Sequence, residues 1–322
     1  MKRAVIITTG GTIAMKRGPM VGGAVPMLKG EDFLAQLPRT GIELAFEEFT
    51  NLPSSHLTPA QAHDLSHRVE AALRAPDVDG VVITHGTDTL EETAMLLDLT
   101  INSPKPVVLT GAMRTATALG YDGMVNLAAA IRVAVAPEAR EHGALVVFNN
   151  HIFAAYEAQK VDSQSTDAFA APGSGPVGRV EDERVWMLHQ PTRRQYIPCA
   201  RIEEMVDLIM ITQGSDERLL RHSIDDGVAG IVLEAFGSGR VPPWWLPTIS
   251  EAIQRRTAIC ITSRCGAGTL GDEYGYVGAY HDLERLGVLF AHNLNGPKAR
   301  IKLMVALGAA RRIEEVRAWF AN

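Results

Sequence analysis

The stretch "VVITHGTDTLEETA", residues 81–94, joins an apolar run to a helical pattern through a short polar turn. The run at 81–84 is β-branched and lacks polar alternation, which is typical of a strand that is covered on both faces. Thr89 and Glu92 have the spacing of a capping box, which predicts a helix over 88–101. A buried strand that leads straight into a helix indicates an α/β fold.

Short apolar runs and longer helical patterns alternate on both sides of this stretch. Because the runs lack polar positions, we expect a mainly parallel sheet between layers of helices. In such sheets ligands bind outside the carboxyl ends of the strands. Further strands are predicted at 4–8, 106–110 and 144–148, and further helices near 59–75 and 123–136.

The length of 322 residues is too great for one ordinary hydrophobic core and predicts two domains. Residues 190–204, "QPTRRQYIPCARIEE", lose the periodicity and carry two prolines. We therefore predict a larger N-terminal α/β domain over 1–190, a linker over 191–204 and a smaller C-terminal α/β domain over 205–322. The last should contain strands at "VDLIMIT", "AGIVLEA" and "TAICITS", with helices near 216–226, 245–256 and 296–308.

The composition, with 46% hydrophobic and 21% charged residues, is that of a globular protein. A net charge of −6 without a basic run argues against nucleic acid or an anionic membrane as the main partner. The first apolar run ends at Ile7, too early for the core of a signal peptide, and no later run has the length of a membrane span. We therefore expect a cytoplasmic protein.

Cysteine usage agrees with that compartment. Cys199, Cys260 and Cys265 are an odd number and have no CxxC spacing. This pattern predicts buried, reduced thiols and argues against a disulfide framework or a zinc site.

Candidate catalytic side chains lie where two of the predicted strands end. Thr87 and Asp88 precede a helix N-terminus, where free backbone N–H groups favour developing negative charge. They indicate a site or, alternatively, a solvated turn. Thr12 follows Gly10 and Gly11, which allow a tight turn and leave space above the sheet. It is a candidate nucleophile, and the alternative is a plain strand-to-loop turn.

A threonine hydroxyl attacks poorly unless a neighbouring group takes its proton. Lys160, in the irregular stretch "YEAQKVDSQSTDAF", is a candidate because polar residues flank it and it lies on no clean helical face. Held near Asp88, such a lysine would pass protons; the alternative is a surface charge. The glycines before Thr12 match neither of the common nucleotide-binding motifs, so no nucleotide cofactor is predicted.

Taken together, these stretches resemble the bacterial-type L-asparaginase and glutaminase-asparaginase family. "TTGGTIA" (8–14) is similar to the first signature of that family and "GVVITHGTDTLEETA" (80–94) to the second. The resemblance covers nearly the whole chain, and two long signatures at the right separation are far more specific than one glycine motif. It extends to "KPVVLTGAMR" (105–114), "GYDGMVNLAAA" (120–130), "GALVVFNN" (143–150) and "NGPKARIKLMVAL" (295–307).

The resemblance implies a catalytic role for four residues. Thr12 would be the primary nucleophile, which forms an acyl-enzyme and releases ammonia. Thr87, Lys160 and Asp88 would form a second hydroxyl–amine–carboxylate group that activates a hydroxyl or water, and the Thr87 backbone N–H would face the oxyanion. An amide is a stable electrophile, so its hydrolysis needs these functions.

The resemblance also implies how a zwitterionic amino-acid amide would bind. Asp88 would hold the substrate α-ammonium group, and Ser54 and Ser55 would grip its α-carboxylate. Gly86 is a further implied contact. The Ala112 carbonyl would face the departing amide nitrogen.

The implied activity is hydrolysis of L-asparagine to L-aspartate and ammonia, with L-glutamine as a secondary substrate and without a metal or organic cofactor. A homodimer or homotetramer, with sites completed across the interface, is implied as well. The alternative is a catalytically weak amino-acid-binding (sensor) protein on the same fold.

Two positions depart from the family pattern. The loop after the first signature usually carries a tyrosine, but residues 15–30 have none and the first tyrosine is Tyr121. Tyr274 or Tyr276 is a candidate substitute. Arg240 stands where the family has an asparagine that reaches a neighbouring subunit's site, so it is either a substrate contact or an outward surface residue. The loop glycines, which support a flexible lid, are Gly18, Gly22 and Gly23.

Overall fold

Strands and helices fall into two units, Met1–Tyr196 and Ile197–Asn322, each with its own sheet. The computed structural model describes residues 1–17, 24–26, 37, 41–191, 193–271 and 273–321. The elements of the first unit are β1 (Arg3–Gly10), β2 (Met15–Arg17), β3 (Ala24–Pro26), β4 (Glu43–Leu52), α1 (Pro59–Arg74), β5 (Gly80–Thr84), α2 (Leu90–Thr100), β6 (Val107–Thr110), α3 (Gly123–Ala134), β7 (Ala144–Phe148), β8 (His151–Ala154), β9 (Gln159–Lys160), β10 (Phe169–Ala170), β11 (Gly178–Glu181) and β12 (Arg184–Met187).

An eight-stranded sheet runs through the first unit in the order β12-β11-β8-β7-β6-β5-β1-β4. The strands from β4 to β7 in this order are parallel, whereas β8, β11 and β12 add an antiparallel edge. Every residue of β5 and β7 is buried, as their uninterrupted apolar sequences predict. The predicted α/β class with a mainly parallel N-terminal sheet is confirmed.

The strand order reverses between β1 and β5. The chain runs from β1 to β4 on one side of β1 and then crosses to β5 on its other side. In an open parallel sheet, such a switch point leaves a crevice outside the carboxyl ends of the two strands, where ligands bind. Thr12 follows β1 and Thr87 follows β5, so both residues belong to this switch point.

The sequence patterns missed the strands at the two edges of this sheet. β4 reads "ELAFEEFTNL" and is only partly buried, because it is the last strand beside β1. At the opposite edge, β12 alternates exposed and partly buried residues. Edge strands of this kind lack the continuous apolar run by which interior parallel strands are recognised.

A smaller parallel sheet forms the second unit, as predicted, in the order β13-β14-β15-β16. Its core includes Trp245, which is buried, whereas the neighbouring Trp244 is 53% exposed. The elements of this unit are β13 (Val206–Met210), α4 (Arg218–Asp225), β14 (Gly230–Ala235), α5 (Leu246–Gln254), β15 (Ala258–Ser263), α6 (Tyr280–Leu286), β16 (Leu289–Phe290), α7 (Gly296–Ala309) and α8 (Ile313–Phe320).

All three cysteines are free thiols, which agrees with the expected reduced state. Cys260 is buried within β15 and Cys199 is partly buried, but Cys265 is exposed. The expectation of a buried thiol is therefore wrong for Cys265, because this residue lies beyond the end of β15 at Ser263. Among the described residues, no helix combines the length and the apolar character that crossing a bilayer requires.

Candidate active site

Two glycines bring the ends of β1 and β5 into contact. A Cβ on Gly11 would overlap the backbone of Gly86, so only glycine at position 11 permits the observed approach. Each of these glycines directly precedes one of the candidate threonines. The approach therefore sets the Thr12 and Thr87 segments beside each other at the switch point.

Thr12 begins a single 3-10 turn over Thr12–Ala14 and is partly buried. The turn forms because Gly11 leaves β1 with a φ of 82°, after which the Ala14 N–H donates to the Gly11 carbonyl at 3.0 Å. The Gly11 N–H donates to the Leu52 carbonyl at 3.2 Å. These bonds fix the backbone that carries the Thr12 hydroxyl.

Lys160 joins Thr87 and Asp88 in one hydrogen-bonded group. Its ammonium group donates to Thr87 Oγ1 at 2.9 Å and to Asp88 Oδ1 at 2.7 Å. Only 15% of the Lys160 side chain is exposed, against 69% of the Asp88 side chain, and Thr87 is buried. The group therefore consists of a shielded amine between a buried hydroxyl and a carboxylate that reaches solvent. Lys160 is not a surface charge.

A short hairpin holds Lys160 in this position. β9 pairs with β10 in antiparallel fashion and sets Lys160 opposite Phe169. The connecting loop is closed by Asp162, whose Oδ1 accepts from the Ser165 and Gln164 N–H groups at 2.7 Å each. These two hydrogen bonds lower the pKa of Asp162. The hairpin thus supplies a defined backbone from which Lys160 reaches the Thr87 turn.

Ser54 and Ser55 differ in their surroundings. Ser54 is buried, and its Oγ would lie 2.6 Å from a Cβ placed on Gly86, so the two residues pack closely. Ser55 is exposed. The Thr89 hydroxyl donates to the Ser54 carbonyl at 2.9 Å, which joins the serine segment directly to the turn that carries Thr87.

The capping box predicted from Thr89 and Glu92 is wrong. Thr89 is the N-cap residue of α2, but among the described residues its side chain makes no capping hydrogen bond. The reason is that its hydroxyl is directed to the Ser54 carbonyl. A capping box does occur at α1, where Thr58 Oγ1 accepts from the Gln61 N–H at 3.2 Å and the Gln61 side chain accepts from the Thr58 N–H at 2.9 Å.

Ala112 is buried in a turn that two later side chains hold. The Asp122 carboxylate accepts from the Met113 N–H at 3.0 Å. Asn126 Nδ2 donates to the Gly111 carbonyl at 3.0 Å. The Ala112 backbone is therefore anchored on both sides by polar groups at the start of α3.

His85 lies directly before the Gly86–Thr87 turn and is fully buried. Its Nδ1 is 2.7 Å from the Gly86 carbonyl and its Nε2 is 3.0 Å from Thr93 Oγ1. Because a carbonyl only accepts, Nδ1 carries the proton and Nε2 accepts from the Thr93 hydroxyl. Burial lowers the pKa of His85 from 6.5 to about 4, so the ring is neutral at pH 7. In the sequence, the place of His85 directly after the apolar run 81–84 is the signal of this burial.

Tyr121 is a residue near the site that no motif singled out for a role. Its phenol donates a hydrogen bond to the Ile13 carbonyl at 2.7 Å, next to Thr12. The two residues are 108 positions apart, and no local pattern of the sequence signals the contact.

Arg240, in the second unit, is partly buried. Its guanidinium group lies over the Tyr274 ring at 4.2 Å and donates to Ser238 Oγ at 3.2 Å. Its Nε is buried without a hydrogen-bond partner among the described residues. Tyr274 and Tyr276 themselves are about half exposed.

The loop glycines Gly18, Gly22 and Gly23 lie outside the described residues. In the part of the chain that the structure describes, no three His, Cys, Asp or Glu side chains are grouped in a way that would hold a metal ion.

Comparison with known proteins accounts for nearly the whole chain. Residues 3–193 match the family model for the asparaginase N-terminal domain, and residues 205–320 match that for the glutaminase/asparaginase C-terminal domain. An L-asparaginase of Bacillus licheniformis is 34% identical over 313 residues, which are 96% of each chain. A probable L-asparaginase of Deinococcus radiodurans is 35% identical over 327 residues, covering 100% of this chain and 98% of the relative.

A solved structure shares the architecture as well. The crystal structure of a probable cytoplasmic L-asparaginase from Campylobacter jejuni superimposes with a TM-score of 0.89 at 30% identity and covers 99% of both chains. The two family models span both units, and the identity to relatives extends over their full length. This chain therefore belongs to the asparaginase family.

Proposed function

We propose that this protein hydrolyses the side-chain amide of L-asparagine to L-aspartate and ammonia, with L-glutamine as a secondary substrate. The observation that carries the proposal is the contact of Lys160 with both Thr87 and Asp88, at the switch point of an asparaginase-family sheet. The relatives named as L-asparaginases support the main substrate. The name of the C-terminal family model, which includes glutaminase, supports the second.

In the first half-reaction, the Thr12 hydroxyl attacks the side-chain carbonyl carbon of the substrate. The carbon–nitrogen bond breaks, the nitrogen leaves as ammonia with the proton that the hydroxyl has lost, and an ester to Thr12 remains. The Thr87 backbone N–H, at the positive end of α2, stabilises the oxyanion of the tetrahedral intermediate. The Ala112 carbonyl accepts a hydrogen bond from the departing nitrogen.

In the second half-reaction, water adds to the ester carbon and the bond to Thr12 breaks. The attacking water loses one proton, and the Thr12 oxygen gains one as L-aspartate is released. The chain of contacts from Thr87 Oγ1 to Lys160 Nζ, at 2.9 Å, and on to Asp88 Oδ1, at 2.7 Å, provides the path for the proton that water loses. No metal or organic cofactor takes part in either step.

Substrate binding uses charge complementarity. The exposed carboxylate of Asp88 pairs with the α-ammonium group, and Ser54 and Ser55 bind the α-carboxylate. Gly86 is a further proposed contact and packs against Ser54. One methylene separates asparagine from glutamine, and in a pocket such a difference is worth about 1–3 kcal/mol, so both are accepted with unequal efficiency.

The proposed working form is a homodimer or homotetramer in the cytoplasm. Arg240 stands where the family pattern reaches a neighbouring subunit's site, and it would reach that site in the assembly. The cytoplasmic description of the Campylobacter jejuni relative supports the compartment. The other proposed site residues fall within the proposed N-terminal catalytic domain over 1–190, which precedes a linker over 191–204 and a C-terminal domain over 205–322.

The proposal is tested by measuring ammonia release from L-asparagine, D-asparagine and L-glutamine. L-Asparagine should be hydrolysed fastest. Thr12→Ala and Thr87→Ala should each lower kcat by at least roughly 100-fold, because each removes a group that acts on the reacting atoms. Circular dichroism should show that both variants remain folded.

The same experiment distinguishes hydrolysis from the alternative of a sensor protein. Calorimetric binding of L-asparagine without ammonia release at millimolar substrate would overturn the proposed hydrolysis and favour an amino-acid-binding protein. Near-normal turnover in Thr12→Ala or Thr87→Ala would remove that residue from the chemistry.

A further inference from the structure

The 3-10 turn that begins at Thr12 is held from outside by the segment 116–121. The Tyr121 phenol donates to the Ile13 carbonyl at 2.7 Å, and the Ala116 N–H donates to the Met15 carbonyl at 3.0 Å. The N-cap residue of the turn is Gly11, which has no side chain that could make a capping hydrogen bond. Beside the backbone bonds of Gly11 to Ala14 and Leu52, the position of Thr12 therefore depends on these bonds from another part of the chain.

The bond from Tyr121 satisfies a group that has little access to water. Ile13 is fully buried, and a buried carbonyl that loses its donor leaves an unsatisfied polar group. The residue next to Ile13 is Thr12, so any shift that lets this carbonyl find another donor also moves the Thr12 hydroxyl. The phenol is thus one of the groups that hold the backbone of the proposed nucleophile.

Tyr121 acts as a donor in this contact. Burial, assisted by the negative charge of Asp122, raises the pKa of the phenol, so it keeps its proton at neutral pH. The Ile13 carbonyl can only accept, which agrees with that state. Tyr121 is therefore suited to hold the turn in place and not to remove a proton.

The direction of the phenol is set by its own surroundings. The Tyr121 ring occupies the space above Gly123, where an added Cβ would overlap the phenol oxygen. Between them, Asp122 is fixed by accepting from the Met113 and Arg114 N–H groups at 3.0 and 2.9 Å. The start of α3 thus orients Tyr121 and anchors the Ala112 turn at the same time.

We infer that Tyr121 is a positioning residue for Thr12. Its phenol keeps the Thr12–Ala14 turn in the one arrangement that directs the hydroxyl to the substrate carbonyl. The inference rests on the proposed function, since it concerns the placement of the proposed nucleophile. Tyr121 itself touches neither the substrate nor the reacting atoms.

The first test is Tyr121→Phe, which removes the phenol oxygen alone. A displacement of the nucleophile by a fraction of an ångström slows the chemical step, so kcat for L-asparagine should fall roughly 10- to 100-fold. KM and the apparent pKa values of the pH–rate profile should stay unchanged, because substrate contacts and titrating groups remain. Thr257→Val is the matched control: it deletes a buried hydroxyl donor to the Val228 carbonyl in the second unit.

A second variant separates positioning from folding. Gly123→Ala keeps the phenol but displaces it, and alanine favours the helix that begins there. This variant should remain folded, and its kcat for L-asparagine should still be reduced. The double variant should be no worse than the more impaired single variant, because both act through one hydrogen bond.

Three results would overturn the inference: an unchanged kcat in folded Tyr121→Phe and Gly123→Ala, an equal fall in Thr257→Val, or a shifted pH profile in Tyr121→Phe. The last would instead identify the phenol as a proton-transfer group. The proposed function is judged separately, by ammonia release from the unaltered enzyme and its loss in Thr12→Ala. If the unaltered enzyme is active and kcat is unchanged in Tyr121→Phe, only the positioning role is rejected.

Discussion

Lys160 donates a hydrogen bond to the Thr87 hydroxyl at 2.9 Å, although 73 positions separate the two residues in the chain. The same ammonium group contacts Asp88, the residue after Thr87, at 2.7 Å. A buried hydroxyl has few donors within reach, and here the donor is an amine that is itself largely shielded from water. This arrangement is typical of groups that move a proton, because a structural hydrogen bond to Thr87 requires no charge.

Replacing Lys160 by methionine should abolish most turnover. The substitution keeps the aliphatic part of the side chain and the pairing of β9 with β10, but it removes both hydrogen bonds. We expect kcat to fall by about 10²–10⁴, the usual contribution of a positioned proton-transfer group, with a small change in thermal stability. Steady-state kinetics of ammonia release and a melting curve measure the two quantities.

The matched variant is Lys160→Arg, which keeps a positive charge but holds its proton permanently. If Lys160 passes protons, arginine should restore little activity. Near-normal rates in Lys160→Arg would show that the group supplies only charge.

A methyl group at Gly111 should separate the turns that form the site. Its Cβ would overlap the His85 carbonyl and would come into ordinary contact with Thr87 Cγ2. Gly111→Ala should therefore destabilise the protein by about 1–3 kcal/mol, as overpacking does, and lower kcat at least roughly tenfold. Urea unfolding and kinetics provide the readouts. In Gly173→Ala, the new methyl group would meet no atom of the described residues within 4 Å, so both quantities should stay near those of the unaltered protein. An equal loss there would contradict the contact.

The interior of the sheet could be predicted from the sequence because its signal is local. The runs that form β1, β5, β6 and β7 are continuously apolar, since both faces of each strand are covered. The edge strand β4 could not be recognised in this way, because glutamates and other polar residues interrupt its apolar residues and the strand is partly exposed.

The candidate site was predictable to a smaller extent. Thr12 and Thr87 are candidates because each follows a buried strand, whereas the polar neighbours of Lys160 fit a surface charge as well as a proton-transfer group. The Thr89 hydroxyl shows why local rules fail here. The sequence spacing predicts a hydrogen bond within the first turn of its own helix, but the hydroxyl donates to the Ser54 carbonyl from another segment. The contact between Tyr121 and Ile13 has no local signal, since it joins segments 108 positions apart.

Replacing Thr89 by valine should weaken substrate binding more than it slows the chemical step. The change conserves shape but removes the donor to the Ser54 carbonyl, a contact worth about 1 kcal/mol. The serine segment should become less fixed, so KM for L-asparagine should rise up to about fivefold while kcat stays within about twofold. Thr58→Val is the control, because it breaks the α1 capping box and should lower stability by about 1 kcal/mol without changing KM. An unchanged KM in Thr89→Val would separate Ser54 from substrate binding.

His85 should make the protein less stable as the pH falls. The folded state keeps the ring neutral down to about pH 4, whereas the unfolded chain takes up a proton near 6.5. Between these values the unfolded state binds more protons than the folded state, so the free energy of unfolding falls as the pH falls from 6.5 towards 4. The contribution of His85 to the free energy of unfolding is fully present above pH 6.5, and its complete loss amounts to about 3 kcal/mol.

Denaturant unfolding at intervals between pH 7 and pH 4 measures this dependence. His85→Gln cannot titrate, so it should be less stable at pH 7, where it lacks the ring contacts to Gly86 and Thr93, but should lose less stability on acidification. His56→Gln, a change at an exposed histidine, should keep the full acid dependence. Parallel curves for the unaltered protein and His85→Gln would show that the buried ring is protonated in the folded state well above pH 4, and the neutral tautomer assigned from its contacts would then be wrong.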